Sequence, residues 1–156
     1  MGKIKWIKKN IRLGLIVLTT IVAFSCNSSQ LKETSIDNFI GEWVLQGRTI
    51  FDGIEVSIQK DIDGRITGKV IKLNDNKYVK MFVENGDSWV SGISRASNFE
   101  FKLTEKKIGS TLFSLYGQSI FKEFKVQFID NDTFGLGAGS SDPTTSTIIY
   151  RRVNKE

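Results

Sequence analysis

The chain has 156 residues, 40% of them hydrophobic, a formal charge of +5, one cysteine and no histidine. Without histidine it lacks the commonest general base and the commonest metal ligand, and a single cysteine makes neither an internal disulfide nor a cysteine metal cluster. Five of the 22 basic residues and none of the 17 acidic ones precede Cys26, so 17 of each sign remain beyond it, a neutral balance that gives no electrostatic reason to expect nucleic-acid binding.

The N-terminus reads as a targeting signal. Lys3, Lys5, Lys8, Lys9 and Arg12 form a basic head, residues 13–24 are an almost unbroken apolar run, and Ser25 and Cys26 precede a polar stretch. Such a run is short for a membrane span of ~20 residues and suits the apolar core of a signal peptide. Ala23-Phe24-Ser25-Cys26 resembles a lipobox, the processing site of bacterial lipoproteins. The resemblance implies diacylglycerol on the Cys26 thiol, cleavage after Ser25, and membrane attachment through the acyl chains. Residues 26–37 are polar and read as a flexible tether.

From residue 38 to 156 the pattern is strand after strand. Ile54, Val56 and Ile58 alternate with polar residues, as do Phe99, Phe101 and Leu103, and Phe124, Val126 and Phe128. Period two with β-branched and aromatic residues predicts half-buried strands, and no helical period is visible. Asp52-Gly53, Asp63-Gly64, Asn74-Asp75-Asn76, Asn85-Gly86-Asp87 and Asp130-Asn131-Asp132 mark turns at short intervals. The expectation is a single all-β domain of about eight to ten antiparallel strands, closed as an up-and-down barrel, with a β-sandwich as the alternative.

The two ends of this domain resemble the lipocalin-like (calycin) family. Phe39-Ile40-Gly41-Glu42-Trp43 opens it with a Gly-x-Trp motif, and Tyr150-Arg151-Arg152 closes it. The resemblance implies that Trp43 plugs one end of the barrel, with Gly41 beside it and Arg151 or Arg152 packed across the ring, a contact of ~0.5–2 kcal/mol. The chain lacks the disulfide of the secreted animal members and is closer to the small bacterial domains.

Motifs for catalysis are missing. There is no Gly-x-Ser-x-Gly elbow, and without histidine no ordinary triad. The Gly-rich stretch from Gly135 to Gly139 precedes another strand rather than a helix, so it reads as close backbone packing, not a phosphate cradle. Asp61-Ile62-Asp63-Gly64 lacks the later ligands of a calcium loop. Glu42, Glu55, Glu100 and Glu123 alternate with apolar neighbours and should face water. The chain is therefore expected to be no enzyme and to use neither metal nor cofactor.

The aromatic residues suggest binding instead. Trp89, Phe101, Tyr116 and Phe128 could line an apolar pocket, with Arg95 as an inward anchor for an acidic head group. The expected function is a monomeric, lipid-anchored envelope protein that holds a small hydrophobic or amphipathic ligand. The alternative is a protein–protein interaction or inhibitor module with a filled barrel. Asn27 carries no inner-membrane retention signal, which points to the outer membrane, on its periplasmic or surface side.

Overall fold

The computed structural model describes residues 33–109 and 114–153. The expected signal segment and Cys26 lie outside the described residues. Eight strands follow in order: β1 (Gly41–Gln46), β2 (Glu55–Lys60), β3 (Ile66–Lys72), β4 (Ser88–Arg95), β5 (Glu100–Lys106), β6 (Phe121–Asp130), β7 (Thr133–Gly137) and β8 (Ile149–Arg152). Each pairs antiparallel with the next, and β8 returns to β1, with Trp43 opposite Arg152. The fold is thus all-β, a closed up-and-down barrel. The β1–β8 ladder excludes the sandwich, because it leaves the sheet without an edge.

Alternation along the strands decides which face is which. On β2, Val56 and Ile58 are buried while Ser57 and Gln59 are not. On β5, Phe101, Leu103 and Glu105 are buried, between Glu100, Lys102 and Lys106 on the outside. An apolar interior and a polar exterior are the reverse of a membrane-spanning barrel, which turns its apolar residues to lipid.

Antiparallel order divides the connections between two ends. At one end the links are short. The β2–β3 hairpin turns at Gly64 (φ +80°), with Asp61 accepting from the Arg65 backbone N–H at 2.8 Å. The other end carries the longer links: a 3₁₀ turn at Thr49–Phe51, a short helix α1 (Lys77–Phe82), and a 3₁₀ turn at Pro143–Thr145. Helix α1 corrects the reading of this domain as helix-free. Asn76 caps it by accepting from the backbone N–H groups of Tyr78 and Val79, and Val79 is its buried residue. Six residues are too few to display a helical period, so the sequence shows only the Asn-rich turn.

The short-link end is closed by aromatic packing. A 3₁₀ turn at Ile36–Phe39 precedes β1, and its Phe39 ring lies 5.0 Å from Phe101, 4.6 Å from Phe128 and 5.0 Å from Phe134. Trp43 packs edge-on to Phe134 at 4.7 Å, and its indole N–H donates to the Phe39 carbonyl at 2.7 Å. The Arg152 guanidinium sits 4.2 Å from the Trp43 ring centre. It also donates to the carbonyls of Ile40 and Asn38 and to Asp132. Of the two expected arginines it is therefore Arg152 that covers Trp43, while Arg151, one residue out of phase, is exposed. Gly41 has φ +144°, and a Cβ there would strike the Arg152 guanidinium.

The chain is held to the barrel earlier than the expected end of the tether at Asp37. Glu33 pairs with Arg95 at 3.1 Å, the Thr34 N–H donates to the Asn98 carbonyl at 3.1 Å, and Asp37 accepts from Lys60 at 2.9 Å. Polarity alone suggested a free segment here. These contacts use the polar groups themselves.

Candidate functional site

The five residues expected to share a pocket divide between the two ends of the barrel, three at the closed end and two at the other. Phe101 and Phe128 belong to the aromatic plug of the closed end. Arg95 is also there. Its guanidinium lies 4.8 Å from the Phe101 ring centre and donates to the carbonyls of Thr34, Ser97 and Asn98. It has the inward parity of Ile93, but it sits at the last position of β4 and turns to the neighbouring loop carbonyls. Tyr116 is 81% exposed, in the β5–β6 connection at the opposite end. Of the two at this open mouth, Trp89 is the one that borders its cavities, and it is buried.

Trp89 begins a chain of polar contacts across that mouth. Its indole N–H donates to the Tyr150 hydroxyl at 2.7 Å, and Tyr150 donates in turn to Glu105 Oε1 at 2.7 Å. Glu105 Oε2 accepts from Arg48, which reaches in from the β1–β2 connection. Tyr150 and Glu105 are buried, and the Arg48 side chain is 19% exposed. A carboxylate removed from water is costly unless it is paired and hydrogen-bonded, and this one is both. Among the described residues no buried side-chain nitrogen or oxygen lacks a partner. Burial, reinforced by the adjacent Glu105, pushes the Tyr150 hydroxyl well above the ordinary tyrosine value, so it remains a donor.

Aromatic rings flank the charged groups. Arg48 lies 5.5 Å from the centre of Phe51 and 5.2 Å from that of Phe124, and the Lys122 ammonium lies 4.8 Å from Phe124. Phe51 meets Trp89 edge-on at 5.8 Å. Below this layer the barrel is filled by Leu45, Val56, Val70, Leu103 and Val126, all buried.

Space remains at the rim. A cavity of about 270 Å³ is bordered by Arg48, Phe51, Trp89, Glu105, Ile108 and Lys122, among others. Another, of about 420 Å³, adjoins it through Trp89 and Ile108 and runs under Met81, Phe82 and Val83. A third, of about 470 Å³, lies on the outer face of β2 and β3 beside Ser57, Gln59, Thr67 and Lys69. Among the described residues no three acidic, cysteine or histidine side chains converge as a metal site.

Part of this site had a signal in the sequence. Glu105 shares the period-two parity of Phe101 and Leu103, and Lys122 that of Phe124 and Val126. A charged residue in phase with a buried row marks a polar group turned inward. Arg48 has no such mark, because it reaches the mouth from a loop. No family model, curated protein or solved structure matches the chain.

Proposed function

We propose that the chain is a lipid-anchored binding protein of the bacterial cell envelope, a lipocalin-like domain that receives a small amphipathic molecule at the open mouth of its barrel. The observation that carries this reading is the pair of adjoining mouth cavities, with Phe51, Trp89 and Ile108 as apolar wall and Arg48, Glu105 and Lys122 as polar rim. Apolar walls with a few placed polar groups are what small-molecule sites are built from. The filled barrel below confines the ligand to the mouth. The anchor rests on the signal pattern and the lipobox resemblance at Cys26, and the outer membrane on Asn27. No part of the proposal calls for catalysis.

Native mass spectrometry of the protein extracted with its bound lipids tests the ligand. A recovered amphiphile supports the reading, and clean unliganded protein from several growth conditions counts against it. Cys26→Ala tests the anchor: a variant that still fractionates with membranes removes the lipoprotein assignment.

Two observations favour the second reading, an interaction or inhibitor module: the barrel below the mouth is filled, and α1 carries an exposed apolar group. Tyr78, Met81 and Phe82 on α1 are 56%, 69% and 55% exposed, a denser apolar group than scattered surface residues. Tyr78→Ser, at a residue that lines neither mouth cavity, separates the two. Loss of a co-purifying protein with ligand content unchanged supports the module.

A further inference from the structure

We infer that the mouth selects amphiphiles with a carboxylate head, and that Lys122 and Arg48 make the selection. This rests on the mouth being the ligand site, and adds which chemical class it takes.

Charge balance in a confined space favours an anionic head. Glu105 faces Lys122 directly across the β5–β6 pair. Yet the Glu105 oxygens are already engaged, one by Tyr150 and the other by Arg48. Arg48 and Lys122 both lie over the Phe124 ring, at 5.2 and 4.8 Å. Two cations therefore approach one aromatic ring beside one carboxylate, and among the described residues no acidic side chain forms an ion pair with Lys122. Lys106 borders the same cavity, in which Glu105 is the one acidic residue, whereas Glu84 and Asp87 border the adjoining one. Like charges gathered against low-dielectric walls raise the local potential and attract an anion.

The apolar half of the ligand has a direction as well. From the head position beside Lys122, the wall of Trp89 and Ile108 leads into the adjoining cavity beneath Met81, Phe82 and Val83. A carboxylate at Lys122 and the outer edge of Arg48 would place an aliphatic or aromatic body along that wall. A neutral molecule of the same shape gains the burial without the charge. A cationic head at that position meets Arg48, Lys106 and Lys122 instead.

Labelled octanoate, octanol and octylammonium share one apolar body and differ in the head. Equilibrium dialysis of each against the full chain in zwitterionic nanodiscs, with empty discs subtracted, reads the selection. Octanoate is expected to bind about tenfold tighter than octanol, with octylammonium weakest. Lys122→Gln should narrow the octanoate–octanol gap by about threefold and leave octanol unchanged. Lys122 is exposed, so an unchanged thermal melt is expected, and Lys106→Gln serves as a second variant. Equal binding of the three, or a preference for octylammonium, overturns the carboxylate inference while the amphiphile site stands. Binding of none of them overturns both.

Discussion

Tyr150 donates its hydroxyl proton to Glu105 at 2.7 Å, joining β8 to β5 across the inside of the barrel. The Glu105 carboxylate also receives Arg48, so its removal strands two donors, one of them charged. Glu105→Ala is expected to lower stability by about 3–5 kcal/mol, the usual cost of leaving half of a buried ion pair. Adding Arg48→Leu should restore part of the loss, since the stranded charge is then gone as well. Urea denaturation of the four species reads the coupling. Simple additivity would mean that the two side chains do not act as a pair.

Tyr150 also sets an alkaline limit. Its folded-state pKa lies well above the ordinary value of 10.0, because burial and Glu105 disfavour the phenolate. Below that value the hydroxyl is protonated in both the folded and unfolded chains, and its contribution is fully present. Above it the unfolded chain releases a proton that the folded one retains. Stability should then fall by up to about 1.4 kcal/mol per pH unit from this group. Lysines titrate in the same range, so the informative quantity is a difference. Tyr150→Phe should show a shallower decline than the parent between about pH 10 and 11. Parallel curves would exclude Tyr150 as the source.

At the closed end the two arginines should separate cleanly. Arg152 stacks on Trp43 and donates to Asn38, Ile40 and Asp132, whereas Arg151 is exposed. Arg152→Ala is expected to cost about 2–3 kcal/mol, combining a cation–π contact with hydrogen bonds to the plug. Arg152→Lys should recover less than half, because an ammonium cannot reproduce the planar fork. Arg151→Ala should stay within about 0.5 kcal/mol of the parent. Thermal and urea melts measure all three, and equal effects at the two positions would contradict this account of the closed end.

The Gly-rich stretch makes a steric prediction. A Cβ on Gly135 would collide with the Pro143 carbonyl, because the 3₁₀ turn at Pro143–Thr145 lies against β7. Relief requires moving backbone rather than a side chain. Gly135→Ala should therefore cost about 1–3 kcal/mol or more. Gly139→Ala also calls for a measurement, since open space surrounds Gly139 but its φ is +61°. It should lose about 1 kcal/mol through strain alone. Losses in the opposite order would mean that contact does not govern Gly135.

The barrel and its plug were legible because both follow local rules. Period-two runs and Asn-Gly or Asp-Gly turns mark antiparallel strands wherever they occur, and the Gly-x-Trp opening fixes one end of the domain. The mouth was less so. Its parity signals at Glu105 and Lys122 are single residues inside strands that otherwise read as ordinary, and Arg48 is brought in by a loop whose path depends on tertiary packing. The register shift between Val90 and Gly92 also breaks the alternation along β4. Trp89 and Val90 are consequently both buried although they are adjacent. Simple parity cannot anticipate a bulge. Arg95 was misplaced for another reason: its inward phase was right, but sequence does not reveal which end of the barrel a strand's last residue reaches.

The closing strand has a further consequence. β8 is only four residues long, and two of them, Tyr150 and Arg152, are committed to the mouth and the plug respectively. The ladder to β1 joins the first strand of the barrel to the last, so this pairing closes the largest loop in the domain and has the greatest entropic cost to form. Until it forms, β1 and β7 each present an unpaired backbone edge, open to strands of other chains. Premature termination before β8 would thus leave a species prone to aggregate, with both ends of the barrel unlocked by the loss of a single short segment.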